Sequence, residues 1–161
     1  MKLRAAPLPP WHPAALIATW FGCGFLPWAP GSWGSLAALP FAWLIAWAGG
    51  ALGLLAAAAA LFLLGWWAAS VMANSLSAKD PACIVVDEVV GQWLTLAAAP
   101  LDPIAYALGF LLFRFCDVVK PWPVRWADRE IGGGLGIMLD DALAGLMAAV
   151  VLLVGRAILG R

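Results

Sequence analysis

Asp87-Glu88, Asp117, Lys120 and Asp140-Asp141 are the residues of this chain best equipped for chemistry. The chain has eighteen charged residues, and nine of them fall between Arg114 and Asp141, within apolar surroundings. Charge at membrane depth is costly, so ions concentrated between apolar segments point to a site. Several carboxylates with Lys and Arg nearby suit a hard cation such as Mg²⁺, which binds through one or two carboxylates, waters and a substrate phosphate. Such an ion polarises a phosphoryl group and lowers the pKa of a water, while Lys and Arg hold phosphate oxygens. Other chemistries are disfavoured. The sole histidine, His12, lies far from the acids in sequence, which argues against a histidine nucleophile or an HExxH zinc site. No cysteine has an arginine six positions on, and no DxD pair occurs.

Composition says where such a site must be built. The chain has 161 residues, 65% of them hydrophobic and 11% charged. Soluble domains run at about half apolar and about a quarter charged. Mean hydropathy is +0.94. The expectation is an all-α integral membrane bundle of four to five apolar helices, with interfacial loops forming the site. It forms a single domain over 1–161, of which 1–12 is a basic, proline-rich tail. Eleven tryptophans suit membrane–water boundaries. Zero net charge gives no pointer to nucleic acid. Cys23, Cys83 and Cys116 form no CxxC pair, so they read as unpaired apolar side chains.

Along the chain, Trp11 to Phe21 reads as an interfacial helix. Gly22 to Ser35 is too rich in glycine and proline for a regular helix. It reads as a loop whose backbone N–H groups could face an anion, with Ser32 or Ser35 capping the next helix. Leu36–Ala48 and Ala51–Met72 form a hairpin split at Gly49-Gly50. Lys79-Asp80-Pro81 looks like a helix start with Asp80 as N-cap, and Asp102-Pro103 repeats the signal. Val124 to Ile131 reads as a short amphipathic piece. Asp140-Asp141 then open a last apolar helix. The turn at Pro100 to Pro103 reads as a second hairpin, and if both hairpins cross and return, the Gly22–Ser35 loop, Lys79–Glu88, an Arg114–Glu130 loop and Asp140-Asp141 share one face. Lys2, Arg4, Lys79, Arg114, Lys120, Arg125 and Arg129 make that face cytoplasmic by the positive-inside rule, with Arg156 and Arg161 as a mild conflict.

Four segments carry a resemblance. GCGFLPWAPGSWGSLAALP from Gly22, DPACIVVDEVVGQW from Asp80, FRFCDVVKPWPVRWADR from Phe113 and GGLGIMLDDALAG from Gly133 are similar, in this order, to the phosphatidylglycerophosphatase A family of bacterial membrane enzymes. The resemblance implies an Mg²⁺-dependent phosphatase of the inner membrane, multi-pass, with its site facing the cytoplasm. Its substrate would be phosphatidylglycerophosphate, converted to phosphatidylglycerol by attack of a metal-activated water. The implied metal set is Asp87, Glu88, Asp117, Asp140 and Asp141. The implied catalytic residues are Asp87, Glu88, Asp117, Asp141 and Lys120. Arg114, Lys120, Lys79, Ser32, Ser35 and Gly31 would bind substrate. Ser32 stands where the family more often has threonine. An acyl-phosphate on an aspartate remains open beside direct water attack. Two other readings also stay open. One is a Mg²⁺ enzyme acting on a polyprenyl phosphate or diphosphate, and the other is a small ion carrier using Asp87 and Glu88. A carrier predicts acids spread through membrane depth or in symmetric halves, which this chain does not show.

Overall fold

The computed structural model describes residues 8–158, and the basic part of the tail (Lys2, Arg4) and Arg161 lie outside them. Among the described residues there are six α-helices and no strand. They are α1 (Pro13–Ala18), α2 (Pro30–Leu76), α3 (Val86–Leu96), α4 (Pro103–Val119), α5 (Val124–Glu130) and α6 (Gly133–Ile158). A 3₁₀ turn covers Cys23–Phe25. α1 starts where the sequence places a proline: His12 Nδ1 accepts the Ala14 N–H at 3.1 Å, and Pro13 needs no donor. The lone histidine is therefore a helix cap.

α2 is continuous in hydrogen bonding but not in direction. Gly50 sits at φ 62°, ψ −164°, a conformation essentially restricted to glycine. Gly31 lies against Glu88, and Met72 packs in one cluster with Ile84 and Val86. Both ends of α2 thus meet the start of α3. A straight helix over that interval would be about 60 Å long, so the chain doubles back at Gly50, as the hairpin reading expects.

α3 is the central element. Val85 N–H donates to the Ala18 carbonyl at 2.8 Å, tying its start to α1. Trp93 Nε1 donates to the Ala38 carbonyl at 3.0 Å, tying it to the first arm of α2. Its other side meets α6, where the Gly91 backbone lies directly against Gly145. Thr95 Oγ1 lies 3.0 Å from the Gly91 carbonyl and 3.1 Å from the Gly145 carbonyl, a latch across that contact. At the far end, Arg156 donates to the Ala98 carbonyl at 2.7 Å. Arg156 thereby serves the α3 C-terminus, which gives a structural reason for a cation at that end.

Several helix boundaries differ from the sequence reading. Gly31 to Ser35 are helical, the first turns of α2, because Pro30 takes the first helical position and nothing after it forbids helix. Neither Ser32 nor Ser35 caps that helix. Ala29 holds the cap position without a side-chain bond, and buried Ser35 donates instead to the Gly31 carbonyl at 2.8 Å. Asp80 caps nothing, because residues 80–85 form turns and α3 begins only at Val86. Asp102 does cap α4, accepting the Ala105 N–H at 2.9 Å. α4 runs on through Val119, so Arg114 and Asp117 stand on a helix rather than in a loop. α6 starts at Gly133, which puts Asp140 and Asp141 two turns inside it rather than at its N-terminus. α5 matches the expected amphipathic piece. The three cysteines are unpaired.

α2 and α6 are long and apolar enough to cross a membrane. Much of the outside is greasy, with Trp47, Leu52, Ile104 and Val118 each at least 70% exposed. A surface of that character suits lipid better than water.

Candidate active site

Four helices converge on one polar cavity. The first turn of α2, the first turn of α3, the last turns of α4 and the second turn of α6 close around a space of about 270 Å³. Asp87, Glu88, Arg114, Asp117, Lys120, Asp140 and Asp141 all line it, and Gly31 forms part of its wall. The Gly91–Gly145 contact explains how two distant acids meet. Asp87 and Asp141 each sit four residues, one helical turn, before one of those glycines. Without side chains between them, the two backbones approach closely and the carboxylates above them converge.

Oxygens of Asp87, Glu88 and Asp141 lie within 4.8 Å of one another. Asp87 and Asp141 are buried, and Asp87 Oδ1 and Glu88 Oε2 have no hydrogen-bond partner among the described residues. Buried carboxylate oxygens facing each other without donors are expensive unless a cation joins them. An all-oxygen set of this kind suits Mg²⁺ or Ca²⁺ rather than a soft metal.

Asp117 and Asp140 are placed differently from the other three. Asp117 Oδ2 pairs with Arg114 Nη1 at 2.6 Å, one turn back on α4. The same Nη1 is 3.9 Å from Glu88 Oε1 and 3.5 Å from Ser35 Oγ. Asp140 Oδ2 accepts from Lys120 Nζ at 2.7 Å, and Asp128 Oδ1 accepts from the same ammonium at 2.8 Å. Burial alone would lower the pKa of Lys120. Its hydrogen bonds to Asp128 and Asp140 outweigh that and hold the ammonium above its ordinary value. The cavity therefore has an acidic floor with carboxylate oxygens left without donors and two fixed cations, an arrangement that suits a phosphate with a divalent cation.

The phosphatidylglycerophosphatase A family model matches residues 16–156. The chain belongs to the phosphatidylglycerophosphatase A family. It is 41% identical over 144 residues to phosphatidylglycerophosphatase A of Escherichia coli, covering 89% of this chain and 81% of that one. It is 38% identical over 141 residues to the Haemophilus influenzae protein of the same name, covering 87% and 86%. A Bacteroides thetaiotaomicron chain, provisionally named a phosphatidylinositol-3-phosphatase, is 40% identical over 152 residues, covering 90% and 94%. No solved structure matches the chain. Membership of the phosphatidylglycerophosphatase A family makes it a phosphatase.

The remaining expected substrate groups are placed unevenly in this phosphatase. Lys79 is exposed, donates to the Asp128 carbonyl at 3.3 Å, and lines a neighbouring cavity of about 140 Å³ rather than the acid cavity. Ser32 is half-buried on α2, and its N–H is already used by the Ala29 carbonyl at 2.9 Å. The Gly31–Ser35 stretch thus offers fewer free backbone donors than a loop would. Gly31 contributes room instead, since a methyl group there would strike Glu88 Oε1.

Sequence reasoning passed over Gln92. It is fully buried, neither of its amide atoms has a partner among the described residues, and it lies one helical turn below Glu88. An unpartnered buried amide one turn from the Glu88 carboxylate is placed to reach it through a water. Its spacing in DEVVGQ was the available signal. Gln92→Leu should lower kcat roughly tenfold or more through Glu88, on the scale of a lost charge-assisted hydrogen bond, and leave the fold intact. Steady-state kinetics beside a thermal melt checks this; an unchanged kcat would make Gln92 a bystander.

Proposed function

We propose that this chain removes the terminal phosphate of phosphatidylglycerophosphate, leaving phosphatidylglycerol, in a Mg²⁺-dependent reaction. The observation that carries the reading is the convergence of Asp87, Glu88 and Asp141 in one cavity with Arg114 and Lys120. The names of the relatives from Escherichia coli and Haemophilus influenzae support the substrate. The site takes shape at the membrane surface of a multi-pass bundle. The arms 30–49 and 51–76 of α2 and all of α6 can each cross about 30 Å at 1.5 Å per residue. α3 and α4 make a shorter hairpin between them. Lys79, Arg114, Lys120, Arg125 and Arg129 lie toward the acid end of the bundle, which supports a cytoplasmic orientation in the inner membrane.

Asp87, Glu88 and Asp141 would hold the ion, with Asp117 and Asp140 at its margin. When bound, Mg²⁺ supplies charge neutralisation at the phosphoryl oxygens and acidifies a water. Arg114 and Lys120 orient the monoester phosphate by charge-assisted hydrogen bonds. Water oxygen bonds to phosphorus as the P–O bond to glycerol breaks. A carboxylate of the three takes the water proton, and the departing glycerol oxygen takes up another.

The test is phosphate release by the purified chain in detergent, with Mg²⁺ and with excess EDTA. Release should stop with EDTA and return when Mg²⁺ is restored. Phosphatidylinositol 3-phosphate and a polyprenyl diphosphate in the same detergent should be slower substrates. Full activity in EDTA would remove the metal from the mechanism, and preference for either alternative lipid would replace the substrate.

A further inference from the structure

The KPWPVRWADR stretch supplies more cations than the acid cavity uses. Lys120 borders two cavities, the acid cavity and an open groove of about 380 Å³ beside α5. Trp122, Arg125, Trp126 and Arg129 form most of that groove. Arg125 and Arg129 are exposed, stand one helical turn apart, and have no ion-pair partner among the described residues. The polar contact of Arg125 is a 3.4 Å approach to the Val119 carbonyl. Glu130 also lines the groove. One carboxylate against two free guanidinium groups leaves it positive, because the charge of Lys120 is already met by Asp128 and Asp140. Trp122 is 81% exposed and Trp126 50%, the character of side chains that settle at the headgroup level of a bilayer.

We propose that the α5 groove is a second phosphate subsite, taking the phosphodiester of a glycerophospholipid headgroup while the acid cavity takes its terminal phosphomonoester. This rests on the lipid phosphatase reading and deepens it. A cavity of about 270 Å³ has room for a phosphate and a few carbons but not for the lipid beyond them. The second phosphate must therefore lie in a neighbouring space. The smaller cavity of about 140 Å³ sets Lys79 against Asp80, Asp128 and Asp140, so carboxylates outnumber cations there and it suits an anion less well. The α5 groove attracts one, and Lys120 is the wall between the two phosphates. Guanidinium groups suit phosphate oxygens by their forked geometry. The subsite selects lipids with two phosphates in one headgroup over lipids with one.

The experiment uses the whole chain in mixed micelles, with phosphatidylglycerophosphate as substrate. Phosphatidylglycerol, which keeps only the diester, and inorganic phosphate, which mimics only the monoester, serve as competing inhibitors. Arg125→Ala and Arg129→Ala should each raise KM roughly tenfold or more, the scale of a lost charge-assisted hydrogen bond. Inhibition by phosphatidylglycerol should weaken in parallel. kcat and inhibition by inorganic phosphate should stay as in the parent chain, and Arg125→Lys should recover part of the loss. Equal weakening of both inhibitors, or unchanged inhibition by phosphatidylglycerol, overturns the subsite. If the unaltered chain releases no phosphate from this lipid, the phosphatase reading fails first, visibly, before any variant is compared.

Discussion

Asp87→Asn and Asp141→Asn each remove nearly all phosphate release and at the same time make the metal-free protein harder to unfold. The two effects have one cause. Three carboxylates with oxygens within 4.8 Å of one another are placed for a cation, not for each other. At that separation two full charges repel by about 3 kcal/mol at an effective dielectric of 20. An amide of the same shape relieves that repulsion and removes an anionic ligand. The expected loss in kcat is roughly 10²–10⁴-fold, the scale associated with a positioned proton-transfer group. Mg²⁺ should raise the melting temperature of the parent chain by mass action and should no longer do so in the variants. Activity, thermal unfolding with and without Mg²⁺, and Mn²⁺ binding by spectroscopy check this together. A variant that loses activity and also melts earlier without metal would show that the two acids support the fold rather than hold an ion. Combining the two substitutions should cost little more than either alone, since residues acting as one unit do not add.

Gly145→Leu abolishes folding. Any side chain at Gly145 meets the Gly91 backbone, and backbone cannot rotate away as a flexible side chain can. Overpacking inside a core costs about 1–3 kcal/mol, and more where the neighbour cannot yield. That is a large share of the stability of most domains. Gly145→Ala is the gentler version. It should survive in detergent with a lowered melting point and reduced turnover, because pushing α6 off α3 also separates Asp141 from Asp87 one turn above. Melting curves and kcat measured on Gly145→Ala beside Thr95→Val separate the roles. Losing the Thr95 latch should cost stability with a smaller effect on rate. A Gly145→Leu chain that folds and works would mean that α3 and α6 are not held in this contact.

The acids, the hairpin at Gly50 and the short α5 were legible because each leaves a local mark. Charges stand out in an apolar chain, and a Gly-Gly pair interrupts a span. Helix starts were legible only where proline and a capping side chain coincide with the true boundary, as at Asp102-Pro103. Asp80-Pro81 carries the same local signal, yet the chain there is held as turns, and Val85 is tied to Ala18 from another part of the sequence. Gly132 and Gly133, the latter at φ 70°, do break the chain between α5 and α6, but Gly134 and Gly136 lie inside the last helix. Gly134 lies hard against Ser70 and Gly136 against the Ile131 carbonyl, where larger residues would not fit. Of the paired acids, Asp117 stands three residues from Arg114 on the same helix, whereas the pairing of Asp140 with Lys120 depends on the distance between helices and has no trace in spacing. Gln92 was missed for the opposite reason: an uncharged residue in a charged motif draws no notice until its burial is known.

The far-apart origins of the cavity wall bear on how the protein is made. Residue 31 is synthesised first, 87 and 88 later, and 140 and 141 after both. A ribosome-bound chain therefore has no complete site until α6 arrives. Before then Lys120 lacks Asp140, and the surface of α3 that meets Gly145 lies open. Such an intermediate exposes both charge and small-residue helix surface to the bilayer, the features by which membrane quality control can distinguish unfinished chains. Docking of α6 hides them in one step, so catalytic competence and escape from degradation should arrive together during biogenesis.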